Sequence, residues 1–178
     1  MKAIEIIEKK LEIKDIELPV LKNNEVLIKV KAAGLNRADI AQKNGLYPPP
    51  AGESEILGLE CSGIIESIGK NVNSKKPGDE VIALLAGGGY AEYVTCPENH
   101  AILKPPKLSW AEGASIPEVY ATCWLNLFIE AHMKEGDKIV FHAGASGIGT
   151  AGIQLAQAFG CNSFVSAGTQ EKIDFCLS

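Results

Sequence analysis

Basic clusters are missing from this sequence. Its 17 Lys and Arg face 22 Asp and Glu, for a formal net charge of −5, and no run of Lys or Arg occurs. A chain without a basic stripe has nothing to neutralise a phosphate backbone, so nucleic acid is not an expected partner. Long apolar runs are missing too, and none approaches the ~18 residues needed to cross a bilayer. Met1–Lys10 alternates charge with isoleucine and lacks the unbroken apolar centre of a secretory leader. No membrane partner is expected, and the chain reads as cytoplasmic. The five cysteines, Cys61, Cys96, Cys123, Cys161 and Cys176, are odd in number, scattered, and never spaced as C-x-x-C. That argues against a disulfide framework and a structural zinc site, and leaves small buried hydrophobes in a reducing compartment. Internal repeats, low-complexity tracts and charge blocks are also missing.

What is there is a globular composition, 46% hydrophobic and 22% charged over 178 residues, enough for one generous domain or two small ones. The first part reads as short strands punctuated by glycine: Ile4 and Ile7, then Leu11–Ile16, then Glu25–Ala33. In the last of these Val26, Ile28, Val30 and Ala32 alternate with Lys29 and Lys31. A short helix over 36–43 is closed by Asn44-Gly45. The loop Tyr47-Pro48-Pro49-Pro50-Ala51-Gly52 follows, irregular because consecutive prolines cannot donate ladder hydrogen bonds. Further strands are expected at 63–68, 80–84 and 90–95, separated by the turn chemistry of Lys76–Asp79 and Gly87–Gly89. From Ser109 the pattern turns helical, with a capping box in Ser109-Trp110-Ala111-Glu112 and a long apolar-periodic stretch from Val119 to His132. The expected fold is therefore an α+β, β-rich barrel domain over residues 1–116, followed by an α/β unit over 117–178.

That second unit reads as β-α-β. A buried-strand run, Lys138–His142, meets the turn Ala143-Gly144-Ala145-Ser146-Gly147-Ile148-Gly149. An amphipathic helix then runs to Phe159-Gly160, and a second strand spans Asn162–Ser166. A glycine turn between strand and helix points backbone N–H groups and the positive helix end at a pyrophosphate. Gly144 or its neighbour makes the turn, Gly147 lets the backbone approach the phosphates, and Gly149 lets the helix pack on the strand. Sites selective for NAD end the second strand with an acid that holds the ribose 2′-hydroxyl. Here the chain reads Ser166-Ala167-Gly168-Thr169-Gln170-Glu171-Lys172. That removes the carboxylate that would repel a 2′-phosphate and supplies a hydroxyl and an ammonium to bind it, so NADPH is favoured over NADH. The plainer reading of Lys172, a solvated helix lysine paired with a neighbour such as Glu171, stays open.

Five ordered blocks carry a resemblance: Gly34-Leu35-Asn36-Arg37-Ala38-Asp39, Ile56–Gly63, Pro77-Gly78-Asp79-Glu80-Val81, Gly88–Val94 and His142–Gly149. Together they resemble the medium-chain dehydrogenase/reductase superfamily and, within it, the zinc-free quinone oxidoreductase branch. Leu46–Pro50, Ala143-Gly144 and Ala167-Gly168 bring the p53-inducible quinone reductase-like subgroup nearest. The resemblance implies a GroES-like catalytic domain followed by a Rossmann domain, of which only the first β-α-β is in hand. Zinc-binding members carry a cysteine near the position of Asn36 and a His-Glu pair where this chain has Leu59-Glu60. Without thiolate and imidazole at those places no three-ligand zinc site is expected, and His100, His132 and His142 lie scattered.

Without a Lewis acid, the acceptor must be one in which hydride transfer carries most of the chemistry. Quinones and activated enones fit, because the incoming hydride generates a resonance-stabilised oxyanion. By resemblance, Asn36 and Tyr47 would donate hydrogen bonds to the substrate oxygen or order water there. Thr122 would contact the nicotinamide. Gly144, Ala145, Ser146, Gly147, Ile148, Gly149, Gly168, Thr169 and Lys172 would bind the cofactor. Lys172–Ser178 reads as a helix cut mid-pattern, so the sequence leads us to expect a truncated enzyme that binds dinucleotide poorly and does not turn over. Alternatively, a second chain, such as another copy of this one, covers what is exposed. The competing class is a GroES-like interaction module whose dinucleotide motif is vestigial.

Overall fold

The alternation in Glu25–Ala33 builds the centre of the first sheet. In a computed structural model that describes all residues, Met1–Ser178, this segment is strand β3, flanked by antiparallel neighbours on both sides. The full order is β6-β3-β4-β5-β7, with β4 at Glu60–Ile68, β5 at Glu80–Leu84, β6 at Tyr93–Pro97 and β7 at Ala101–Leu103. The register of β3 on β4 shifts at Leu27/Ile28 and again at Val30/Ala32; such irregularities raise the local twist and curl the sheet. Strands β1 (Lys2–Ile7) and β2 (Lys10–Asp15) form a separate hairpin. Its two turn residues, Glu8 and Lys9, both take positive φ, 49° and 62°, the handedness that matches a twisted two-residue hairpin loop.

The curled sheet closes over Val26, Ile28, Cys61, Ile65, Val81, Ala83, Val94, Cys96 and Ala101. Full burial of an isoleucine such as Ile28 contributes about 1.5 to 3 kcal/mol. Two thiols sit in this core, and both are free. Burial pushes the Cys96 thiol from 9.0 up to about 12 and raises that of Cys61 further still. A raised folded-state value means that stability is whole below the ordinary thiol range and is lost as pH climbs from about 9 toward the folded value. The first unit should therefore lose about 2 kcal/mol per buried thiol between about pH 8.5 and 10.5. Urea unfolding at the two pH values checks this, and an unchanged midpoint would refute it.

The chain divides into two compact units, Met1–Pro117 and Glu118–Ser178. The first also holds helix α1 (Arg37–Lys43) and helix α2 (Trp110–Ala114). The capping box read from sequence is present at α2: Ser109 N–H donates to Glu112 Oε2 at 2.8 Å, and Glu112 N–H donates to Ser109 Oγ at 3.2 Å. In the second unit, β8 (Lys138–His142) and β9 (Asn162–Ser166) pair in parallel around helix α4 (Gly147–Ala158), and helix α5 (Gln170–Leu177) follows.

Three expectations need adjustment. The stretch from Val119 to His132 is not one α-helix: α3 covers Pro117–Trp124 and widens into a π-helical turn over Leu125–Glu130. Asn126 Nδ2 donates to the Thr122 carbonyl at 2.8 Å, competing with the ladder donor for that oxygen, and His132 ends the segment at φ 53°. The strand expected at 90–95 begins only at Tyr93, because Tyr90 N–H is held by the Leu57 carbonyl at 2.9 Å. Strand β7, three residues long, was not anticipated. No helix is long and apolar enough to cross a membrane.

Candidate functional site

Each unit carries one cluster of candidate residues. In the second, β8 ends at His142, whose Nδ1 lies 3.0 Å from Ser166 Oγ at the end of β9. The chain then reverses on Ala143, at φ 56°, a left-handed conformation that a residue with a Cβ adopts at a cost. The turning residue is thus Ala143, and Gly144 is needed for another reason: a Cβ there would fall 2.6 Å from Val165 Cβ. A Cβ on Gly149 would meet the Gly144 carbonyl oxygen at 2.3 Å, so the first turn of α4 rests on the backbone of the loop. The helix-to-strand contact expected of Gly149 falls instead on Gly152, against the Phe141 ring at 2.4 Å. Ser146 caps α4, its Oγ accepting from Gly149 N–H at 3.1 Å. Gly147 and Ile148 are exposed in that same first turn.

Between the two β-to-α turns lies a cleft of about 150 Å³ lined by Ala143, Ala145, Ser146, Ala167, Gly168 and Lys172. No carboxylate lines it, and Glu171 is not among its walls. Gly168 faces open space, with nothing within 4 Å of where a Cβ would stand. Thr169 caps α5 by accepting from Lys172 N–H at 3.3 Å, which leaves its hydroxyl hydrogen free of that bond. An ammonium, small residues and an adjoining helix N-terminus are a donor set that fits a phosphate. Thr122 is half-buried on α3, with Oγ1 3.5 Å from Glu118 Oε1.

In the first unit, Asn36 is the N-cap of α1. Its amide Nδ2 donates to Glu60 Oε1 at 2.8 Å, and its backbone N–H donates to Asp39 Oδ2 at 2.7 Å. Both acids are buried, Glu60 at 2% exposure and Asp39 at 5%. Asp39 also accepts from Tyr90 Oη at 2.8 Å and from Gly58 N–H at 3.3 Å. Burial, reinforced by the Asp39 hydrogen bond, raises the Tyr90 phenol well above its usual value. Gly34 admits the Glu60 carboxylate: a Cβ there would lie 2.2 Å from Glu60 Oε1. Leu59, next to Glu60, is buried, and no three His, Cys, Asp or Glu side chains in the chain converge on a point that could hold a metal ion. Tyr47 stands on its loop, 48% exposed. Sequence reasoning quoted Gly34, Asp39 and Glu60 within motifs but gave them no part. Their signal was a glycine and two acids inside otherwise apolar blocks.

Residues 22–106 match the alcohol dehydrogenase GroES-like domain family. The quinone oxidoreductase of Sus scrofa is 36% identical over 92% of this chain and 50% of its own length. The chain belongs to the quinone oxidoreductase-like branch of the medium-chain dehydrogenase/reductase superfamily. Solved structures agree. The Escherichia coli quinone oxidoreductase complexed with NADPH superposes with a TM-score of 0.86 at 28% identity, over 99% of this chain and 56% of that one. The CurK enoyl reductase gives 0.89 at 29% identity, over 99% and 56%. The chain spans about half the length of the curated quinone oxidoreductases it matches. As in this family, its first unit is the GroES-like domain, a curled antiparallel sheet.

Proposed function

We propose that this GroES-like chain serves NADPH-dependent, metal-independent reduction of a quinone or an activated enone. The observation that carries the reading is the donor set around Asn36 and Glu60. An amide and a leucine stand where a zinc-dependent relative needs thiolate and imidazole, so the acceptor must be activated by its own conjugation. NADPH, when bound, supplies the hydride. The first turn of α4, from Gly147 to Gly149, would hold the pyrophosphate, with Ser146 fixing that turn. Lys172 and Thr169 would hold the 2′-phosphate beside Gly168. Thr122 would contact the nicotinamide, and Asn36 and Tyr47 would face the acceptor oxygen or a water beside it. The competing interaction-module reading gains nothing from the glycine turn, whose close contacts at Gly144 and Gly149 are kept.

The reaction is tested in a form whose dinucleotide-binding domain is continued to the length of its relatives. We expect NADPH consumption with a simple quinone that is unchanged by a chelator; activity lost on chelation and restored by zinc would refute metal independence. Lys172→Glu tests the nucleotide. A charge-assisted phosphate contact contributes about 1.5 to 3 kcal/mol, so NADPH affinity should fall at least about tenfold while NADH affinity holds. An unchanged preference would return Lys172 to the role of a solvated helix lysine.

A further inference from the structure

The Asn36 amide turns its nitrogen to a buried carboxyl group on β4. Asn36 Nδ2 donates to Glu60 Oε1 at 2.8 Å; Glu60 is buried at 2% exposure, and Gly34, lacking a Cβ, leaves the space that Oε1 occupies. The backbone of Asn36 is fixed independently by Asp39 at 2.7 Å, and Asp39 in turn by Tyr90. A side chain held at its backbone and at one amide arm has little freedom left.

We infer that Glu60 is a positioning residue: by accepting from Nδ2 it fixes the orientation of the half-exposed Asn36 amide. This rests on the reductase reading above and deepens it. Glu60 itself touches neither substrate nor cofactor in this account.

The test compares Glu60→Leu and Glu60→Gln in the form with a complete dinucleotide-binding domain. Misplacement of a group by about 1 Å can cost up to about a hundredfold in rate. Glu60→Leu should lower kcat at least about tenfold and leave the KM for NADPH within about twofold, since the nucleotide-binding turn lies in the other unit. Glu60→Gln keeps an oxygen that can accept from Nδ2 and should restore most of the loss. Nitrogen-15 resonances of the Asn36 side-chain amide, assigned by their disappearance in Asn36→Asp, read the orientation directly and need no turnover. They should show two widely separated amide protons, one of them slowly exchanging with solvent, in the parent, and a narrower separation with faster exchange in Glu60→Leu. A folded Glu60→Leu with parental kcat would overturn the inference. If Glu60→Leu does not fold, parental amide resonances together with parental kcat in Glu60→Gln support it, and a parent pair with the separation and solvent exchange of a free asparagine amide overturns it. A parent that never consumes NADPH sinks the reductase reading alone, because the amide resonances still report on Glu60.

Discussion

Gly34→Ala should cost the first unit about 3 to 5 kcal/mol, measured as a shift in its urea unfolding midpoint. Its new Cβ would stand 2.2 Å from Glu60 Oε1 and 2.6 Å from the Ala114 carbonyl oxygen. One obstacle is backbone at the end of α2; the other is a carboxylate tied to Asn36 at 2.8 Å. Neither can swing aside as an exposed side chain would. Overpacking a closed core costs about 1 to 3 kcal/mol. Displacing Glu60 from its hydrogen bond while it stays buried adds about 1 to 3 kcal/mol. A loss below about 1 kcal/mol would show that the carboxylate is not confined as described.

Gly149→Val should remove NADPH binding, lowering affinity by about a hundredfold or more. The added Cβ meets only backbone, the Gly144 oxygen at 2.3 Å and its carbonyl carbon and Cα at 2.6 Å. The first turn of α4 must then lift from the loop, carrying its N–H groups away from the phosphate position. A hundredfold corresponds to about 2.7 kcal/mol, within the range of a lost charged hydrogen-bond set. Gly168→Ala is the control, because open space surrounds that position. It should leave thermal unfolding unchanged, and any effect on NADPH would be a modest one within the cleft. Equal losses of binding in the two variants would show that the loop contact at Gly149 is not what holds the phosphate site together.

Much of the fold was legible because its signals are local. Alternation over Glu25–Ala33 marks a half-buried strand, the Ser109 and Glu112 pair marks a helix start, and a strand followed by glycines and an amphipathic run marks the β-α-β unit. The rest depended on contacts between distant residues. Tyr90 stays out of strand β6 because Leu57 holds its N–H and Asp39 its hydroxyl, and no local pattern carries that. The π-helical turn after Trp124 keeps an apolar periodicity close to that of an α-helix, so the sequence could not separate them. Strand β7 is too short to alternate. At the candidate site, Asn36 was visible as a polar residue in a glycine-bearing block. Its amide orientation was not visible, because it is set by an acid on another strand that only a glycine leaves room for.

The central claim is that the cleft between the two β-to-α turns holds a dinucleotide carrying a 2′-phosphate. Fluorescence titration with NADPH and with NADH of the form whose dinucleotide-binding domain is continued to the length of its relatives, in the presence of a chelator, addresses it most directly. The account predicts saturable binding with NADPH favoured at least about tenfold, the equivalent of about 1.4 kcal/mol from the Lys172 contact. Equal affinities, or binding of neither nucleotide, would contradict it.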